Sequence, residues 1–334
     1  MKDVAEYANV SVSTVSYVLN DTGPVSADRR ARILNAVREL NYIPNEAARN
    51  LKRRSASTIG LMIPDLSNQF FSLLASGVAH AAAAREFLVV LCSAENTEEA
   101  ESGNARLLRS QRVDGVVYLT GFHESPTSLL ELQSLGPVVL VDELVPGADL
   151  PAVLADGRRG AREVAAHVVA LGHKRFACLA GPTALWTAEQ RLAGYREALA
   201  LGGLDPDTMA VHIGDYRMES GFKLAGEVLD VPLHTRPTAL LCANDMMAIG
   251  ALEYCRTYGL SVPHDVSVVG FDDVPMAPLL SPRLTTVRQP AREMGIHAAE
   301  LLLDLINGNV RPELPETFPV EVIVRDSAAT PRGA

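Results

Sequence analysis

The sequence predicts a small all-α head followed by an α/β body with two doubly wound parallel-sheet lobes. The first 44 residues show helical periodicity only, whereas apolar, β-rich runs alternate with helical stretches over the rest of the chain. This alternation occurs in two successive series, and near-continuous apolar strands are typical of parallel sheets buried on both faces. A length of 334 residues with 48% apolar content allows two or three domains.

The head is predicted to contain three short helices. The first spans residues 2–8 and is followed by Asn9, which tolerates a left-handed turn; Ser11 caps a second helix that ends at Asn20. The third helix is capped by Ser26, is stopped by Asn41 and Pro44, and has an inward stripe formed by Ile33, Leu34, Val37 and Leu40. Two short helices joined by a tight turn and closed by a third form a helix-turn-helix arrangement.

The second helix is built from weak helix formers, mainly Val, Thr and Ser. Its apolar residues Val15, Val18 and Leu19 nevertheless recur at helical spacing. The opposite face is small, polar and uncharged, and it carries Ser13, Tyr17 and, near its edge, Ser16 and Asn20. Such a face suits a close approach to a partner to which it offers hydrogen bonds.

Charge is distributed unevenly along the chain. Residues 1–54 carry nine Lys and Arg against six Asp and Glu, a net charge of +3. The whole chain has a net charge of −10, so the remaining residues carry −13. A basic head on an acidic body favours a polyanionic partner for the head alone. The sequence has no apolar run of 18 residues and no signal-peptide core, so we expect a cytoplasmic protein without a membrane partner.

Sequence patterns give little support for catalysis. No GxGxxG, GxxxxGK[ST], GxSxG or HExxH motif occurs, the histidines show no metal-ligand spacing, and His173 is expected to end a helix favourably. The four cysteines form no CxxC pair, and three lie in strand-like runs, which favours buried reduced thiols. We expect no enzyme activity, no cofactor and no metal site.

The body supplies the strands of both lobes. Strands are predicted at residues 59–64, 87–93, 115–120 and 137–142 in the first series, and at 176–181, 210–215, 238–245 and 266–273 in the second. Helices are expected around residues 70–86, 98–112 and 125–135 of the first series.

Distinctive segments follow one another along essentially the whole chain: DVAEYANVSVSTVSYVLN, VSADRRARILNAVRELNYIPNEAARNL, TIGLMIPDLSNQFF, LGHKRFACLAGP, RLAGYREAL, CANDMMAIGAL, VSVVGFDD and LTTVRQP. In this order they resemble the lactose-repressor/galactose-repressor (LacI/GalR) family of bacterial transcription regulators. The head motif is highly specific, whereas the body motifs alone also fit periplasmic sugar-binding proteins.

The resemblance implies a particular division of the chain. A helix-turn-helix DNA-binding domain is expected at residues 1–44, a hinge helix and linker at 45–57, and an effector-binding and dimerisation core at 58–334. This core is of the periplasmic-binding-protein type, with an N-lobe of about 58–157 and 288–317 and a C-lobe of about 158–287 and 318–334. The family usually carries several residues before Lys2, so an N-terminal phosphate contact is absent or the sequence begins after the natural start.

The resemblance also implies DNA contacts from two helices. The second helix enters the major groove of a pseudo-palindromic double-stranded operator, and the hinge leucine wedges into the minor groove. Contacts are expected from Ser11, Val12, Ser13, Thr14, Ser16, Tyr17, Asn20, Asn45, Ala48 and Leu51. Many family members have Arg at the position of Tyr17. Tyr cannot make the bidentate contact of Arg to guanine, so the resemblance does not indicate which base Tyr17 reads. The alternatives are that Tyr17 shields the head core, that the hydroxyls only cap the helix, and that Leu51 is ordinary linker.

A small-molecule effector is expected between the lobes, at the strand ends where doubly wound sheets bind ligands. The family motifs assign it to Asp65, Asn68, Phe70, Phe71, Trp186, Arg191, Tyr216, Asn244 and Asp272. Charged and amide groups pair with vicinal hydroxyls and aromatic rings cover a sugar ring, which favours a sugar. Alternatively, Phe70 and Phe71 belong to the core, and Asp142 is a helix cap.

The expected function is therefore a sugar-responsive, DNA-binding repressor. Its C-terminus carries no leucine heptads, so a homodimer is expected rather than a coiled-coil tetramer. The alternatives are a regulator with a purine or nucleoside corepressor, a sugar-binding receptor without a transcriptional role and, with least support, an α/β enzyme.

Overall fold

The computed structural model describes seven stretches of the chain: residues 1–20, 22–42, 57–94, 97–120, 126–145, 147–309 and 315–332. The chain forms two compact units, Met1–Ala56 and Ser57–Ala334. Within the described stretches, no helix has the length and apolar character needed to cross a membrane, and no group of His, Cys, Asp and Glu is arranged to hold a metal ion.

The first unit contains the three predicted head helices, α1 (Lys2–Tyr7), α2 (Val12–Asn20) and α3 (Ala27–Glu39). Asn9 adopts the expected left-handed conformation between α1 and α2, with φ of 51°. The core is formed by the buried residues Val4, Ala5, Ala8, Val15, Val18, Ile33 and Ala36. The inward face predicted for α2 is confirmed, because Leu19 also packs partly buried against this cluster.

Two expectations for the third helix were wrong. Leu34 and Leu40 are 43% and 40% exposed, and Ala36 instead joins Ile33 in the core. α3 ends at Glu39, so Leu40 follows its last turn and cannot continue the buried stripe. Ser26 holds the N-cap position without a side-chain hydrogen bond. Pro44 lies outside the described residues.

The second unit contains the two predicted lobes, which confirms the fold class. In the first lobe, six parallel strands run in the order β11-β5-β4-β3-β1-β2. They are β1 (Thr58–Ile63), β2 (Leu88–Ser93), β3 (Val116–Tyr118), β4 (Val138–Val141), β5 (Ala152–Ala155) and β11 (Glu316–Phe318). The accompanying helices are α4 (Gln69–Ala84), α5 (Glu98–Gln111), α6 (Pro126–Gln133) and α11 (Ala291–Ile306).

The second lobe has a parallel sheet of four strands in the order β7-β6-β8-β9. These strands are β6 (Phe176–Ala180), β7 (Ala210–Ile213), β8 (Ala239–Cys242) and β9 (Ser267–Val269). The helices are α7 (Gly157–Ala170), α8 (Trp186–Leu201), α9 (Met218–Leu229) and α10 (Asp245–Thr257). β10 (Thr286–Arg288) and β12 (Glu321–Ile323) form a separate antiparallel pair.

The eight predicted strands are present, but not all of them are buried on both faces. β2 and β7 are sheet edges, and Leu88 and Leu91 of β2 are 67% and 40% exposed. The sequence analysis missed β5, β10, β11 and β12, which have only three or four residues each. β3 and β9 are equally short but carry no charged residue, whereas β10, β11 and β12 each contain one, which interrupts the apolar pattern.

The helix α4, whose first turn lies at the cleft between the lobes, is held in place by close packing against α11. A side chain at Gly77 would overlap the carbonyl oxygen of Arg292, and one at Gly295 would overlap that of Leu74. Both positions therefore require glycine, because the two backbones approach each other at these points.

The four cysteines are free and buried, as expected. The helix-end role expected for His173 was wrong, because α7 ends at Ala170 and is capped by Leu171. His173 is 2% exposed, and its ring nitrogens contact Thr238 Oγ1 at 2.9 Å and the Ala329 carbonyl oxygen at 2.8 Å. Burial lowers the pKa of His173, so the imidazole is neutral and ties the C-terminal segment to the second lobe.

Candidate ligand cavity and recognition helix

A cavity of about 230 Å³ lies between the two lobes of the second unit. Its first-lobe wall is formed by Pro64, Asp65, Asn68, Phe71, Leu119, Thr120, Asp142 and Glu143. Its second-lobe wall is formed by Pro182, Leu185, Thr187, Asp215, Tyr216 and Arg217. Most of these residues follow the carboxyl ends of parallel strands, the position at which doubly wound sheets present ligand-binding side chains.

The start of α4 places several of the predicted residues at this cavity. Asn68 caps the helix, since its Oδ1 accepts the N–H of Phe70 at 3.0 Å. The cap turns Phe70 into the core, where it is 2% exposed, and leaves Phe71 half-buried in the cavity wall. The alternative that both rings belong to the core therefore applies to Phe70 only, although Phe70 also lines a second recess.

This second recess, of about 30 Å³, collects the remaining polar side chains. Arg191, on α8, is 5% exposed and donates from Nη1 to the Ala243 carbonyl oxygen at 2.6 Å. The same Nη1 lies 3.7 Å from Oδ1 of Asp272. The guanidinium carbon lies 4.1 Å from the centre of the Phe271 ring, which supports the cation from one face.

Asp272 and Asn244 are held by their own networks. Asp272 accepts the Nε2–H of Gln289 at 2.8 Å and has a φ of 118°, a strained backbone conformation typical of functional positions. Burial raises the pKa of Asp272, while Arg191 opposes that rise. Asn244 caps α10 and donates from Nδ2 to the Tyr216 carbonyl oxygen at 3.0 Å.

The cavity therefore brings together most of the effector residues predicted from sequence. Asp65, Asn68, Phe71 and Tyr216 line the larger cavity, and Asn68, Phe70, Phe71, Arg191, Tyr216, Asn244 and Asp272 line the smaller recess. Trp186 does not line either one. Its side chain is partly buried and packs against the apolar cluster of the first lobe that includes Leu129 and Leu140.

Sequence reasoning named Asp142 only as an alternative helix cap and missed its neighbour Glu143 at the end of β4. Asp142 and Glu143 are 7% and 3% exposed, and both line the larger cavity. Asp142 has a positive φ of 62° and makes no side-chain hydrogen bond within the described residues, so it does not act as a helix cap. The motif VVLVDE carried the necessary signal, because carboxylates directly after a buried strand face the ligand edge of the sheet.

Glu143 connects the two lobes. One of its carboxylate oxygens accepts the backbone N–H of Thr187 at 3.2 Å, and the other accepts the Thr187 hydroxyl at 2.7 Å. Leu185, at the N-cap of α8, provides no capping side chain, so the carboxylate of the opposite lobe caps this helix. Burial raises the pKa of Glu143 to about 7, although the hydrogen bond from Thr187 opposes the rise and the charge of Asp142 adds to it.

The raised pKa of Glu143 has a testable consequence for stability. The native protein holds a proton on Glu143 more tightly than the unfolded chain, whose carboxyl titrates near 4.5, so stability is lost as the pH rises through about 7. We expect Glu143→Gln to be more stable than the parent at pH 8, by on the order of 1–3 kcal/mol, and equal to it at pH 4. Urea unfolding at the two pH values measures this, with the exposed Glu253→Gln as control. An equal gain at both values would contradict it.

On the first unit, the face of α2 opposite the head core is open. Val12 and Tyr17 are 43% and 48% exposed, and Ser13 is also exposed. Ser11 accepts the backbone N–H of Thr14 at 3.2 Å and so caps α2 as predicted; its hydroxyl also contacts those of Ser13 and Thr14. Ser16 is half-buried, and Asn20 is the last residue of α2. Asn45, Ala48 and Leu51 lie outside the described residues.

The fold and the cavity define a two-lobed ligand-binding core of the periplasmic-binding-protein type that is joined in sequence to a helix-turn-helix head. The model for bacterial regulatory proteins of the lacI family matches residues 1–45, and that for a periplasmic binding protein-like domain matches residues 165–328.

Similar proteins cover the chain almost completely. The HTH-type transcriptional repressor CytR of Escherichia coli K12 is 35% identical over 327 residues, which are 98% of this chain and 95% of that protein. The ribose operon repressor of the same strain is 36% identical over 308 residues, 92% of each chain. The lac repressor dimer bound to operator and the anti-inducer ONPF aligns with a TM-score of 0.85, 32% identity and 98% coverage of both chains. The chain belongs to the LacI family and is a DNA-binding transcription regulator controlled by an effector.

Proposed function

We propose that this protein represses transcription by binding a pseudo-palindromic operator as a homodimer, and that a small sugar in the interlobe cavity controls its affinity for DNA. In the head, Val12, Ser13 and Tyr17 read base edges in the major groove, while Ser11, Thr14, Ser16 and Asn20 hold the adjacent backbone. Leu51, with Asn45 and Ala48, contacts the minor groove from the hinge. We also propose that the DNA-binding domain ends at residue 44 and that the hinge helix and linker end at residue 57.

The observation that carries the effector proposal is the composition of the cavity. Asp142, Arg191 and Asp272 provide charged hydrogen-bonding groups, and the half-buried ring of Phe71 provides a flat apolar wall. Paired polar groups beside an aromatic face suit a molecule with vicinal hydroxyls. The same ring also suits a nucleobase, so a nucleoside is the second candidate.

A ligand screen tests this proposal. A ligand that binds the native state alone raises the melting temperature, so sugars and nucleosides are compared for this shift and then for release of the operator. The same screen addresses catalysis, because we propose that the cavity binds its ligand without converting it. Recovery of a chemically altered ligand would support the enzyme alternative.

Since the DNA partner of the protein is chromosomal, the proposed location is the bacterial cytoplasm.

An aromatic cluster on the second lobe provides a proposed surface for the homodimer. Phe222 of α9 and Tyr254 and Tyr258 at the end of α10 stack closely, with centroids of the two tyrosine rings 4.5 Å apart. Tyr258 is 63% exposed, and aromatic residues are enriched in protein interfaces.

We expect Tyr258→Glu to shift the protein from dimer to monomer, since the new carboxylate would lose its hydration when the partner subunit covers it. A loss of at least about tenfold in dimerisation affinity is expected by analytical ultracentrifugation. Leu201→Glu, at an 81% exposed apolar position at the end of α8, is the matched control and should remain dimeric. A dimeric Tyr258→Glu would place the interface elsewhere.

A further inference from the structure

The first turn of α8 already holds a carboxyl group from the other lobe. A helix N-terminus has unpaired N–H donors and a partial positive charge, which together favour an anion. Glu143 of the first lobe occupies this position, with its oxygens 3.2 Å from the Thr187 nitrogen and 2.7 Å from the Thr187 hydroxyl. It is 3% exposed and lines the larger cavity. A ligand in the cavity therefore meets a helix start that is already capped.

The cationic side chains of the cavity are also engaged with carboxylates. Arg217 lies 3.7 Å from Asp65, and Arg191 lies 3.7 Å from Asp272. Among the described residues that line the cavity and its recess, these arginines are the cations, and neither Lys nor His is present. Among the described groups, the buried Nε of Arg191 has no hydrogen-bond partner, but an anion that approached it would also meet the carboxylate of Asp272.

The region also resists additional negative charge. Asp142 and Glu143 are adjacent, and burial raises the pKa of each. The desolvation that makes these carboxyls reluctant to ionise applies equally to a ligand phosphate or carboxylate buried beside them. A hydroxyl or amine of a ligand, in contrast, can donate a hydrogen bond to Asp142, because the carboxylate oxygens of Asp142 accept none from the described residues.

We infer that Glu143 determines ligand specificity: by occupying the anion position at the start of α8, it restricts the cavity to ligands that carry no anionic group. The inference rests on the proposed function, since it assigns a ligand chemistry to the same cavity. The effector is then an unphosphorylated sugar or nucleoside, and phosphate esters and sugar acids are rejected.

Removal of the Glu143 side chain should open this position to an added anion. Sodium acetate is the probe, because it carries the same carboxylate, and sodium chloride at equal ionic strength is the reference. We expect about 100 mM acetate to raise the melting temperature of Glu143→Ala by about 2–4 °C. The emission of Trp186, the sole tryptophan and the neighbour of Thr187, should change with the same concentration dependence. The parent and the control Glu253→Ala, an exposed position on α10, should show neither effect.

Two results would overturn the inference. If the parent responds to acetate as Glu143→Ala does, Glu143 does not exclude anions; if neither responds, the start of α8 is not an anion position. Should Glu143→Ala fail to fold, Glu143→Ser provides the same comparison, because it also removes the carboxyl group and vacates most of the position. The titration needs no effector, so a failed screen of sugars and nucleosides would count against the proposed function alone.

Discussion

Replacement of Arg191 by alanine is expected to produce a repressor that binds its operator but no longer responds to the effector. The guanidinium lies at the centre of the recess, where it joins the Ala243 carbonyl oxygen and the carboxylate of Asp272. A ligand that bridges these groups loses charge-assisted hydrogen bonds in the variant, which costs at least about 2 kcal/mol, or about 30-fold in affinity. Effector titrations followed by operator release measure the loss.

The variant also has a predictable effect on folding. Asp142 and Asp272 lose their buried counter-charge, so the free energy of unfolding of Arg191→Ala should be about 3–5 kcal/mol lower than that of the parent. Its melting temperature should fall accordingly. Arg191→Lys separates the two effects, because it keeps the charge but lacks the planar fork that matches paired acceptors. Arg158→Ala, an exposed arginine on α7, is the control. If Arg191→Ala responds at the effector concentration of the parent, the recess is not the effector site.

The distribution of correct and incorrect sequence predictions has a physical explanation. Strands such as β1 and β4 were recognisable because each is apolar over nearly its whole length. β11 and β12 were not, since each contains a glutamate and obtains its stability from a neighbouring strand brought close by the tertiary fold. The exposed Leu34 shows the same limit in the head, where the buried face of α3 is set by its packing against α1 and α2 rather than by hydrophobicity alone.

The cavity shows where sequence reasoning succeeds and where it ends. Arg191 and Asp272 were found through family motifs, and both line the recess. The cap of Glu143 on α8 was not predictable, because it joins residues 44 positions apart in different lobes. Trp186 was misplaced for a related reason: its neighbour Thr187 lines the cavity, and successive residues of a helix point in directions about 100° apart.

On the DNA-binding unit, the largest expected effect belongs to Tyr17. Its ring is 48% exposed on the outer face of α2 and rests against the loop at Gly23, where an added Cβ would lie 3.0 Å from the ring. A phenol held in this way offers one hydroxyl to a base edge without a large loss of side-chain entropy. We expect Tyr17→Ala to weaken specific operator binding by about 2 kcal/mol, or about 30-fold, and to leave the weak, salt-dependent binding to unrelated DNA nearly unchanged.

Selection from randomised duplexes measures this effect whatever the operator sequence is. Tyr17→Ala should lose base preference at one position in each half-site, whereas Tyr17→Arg should gain a preference for guanine there, because Arg can bond both O6 and N7 of that base. Tyr7→Ala, which removes a 58% exposed tyrosine from α1, is the matched control and should keep the preferences of the parent. If Tyr17→Ala and the parent select the same bases at every position, Tyr17 does not read sequence, and its ring instead covers the core of the head.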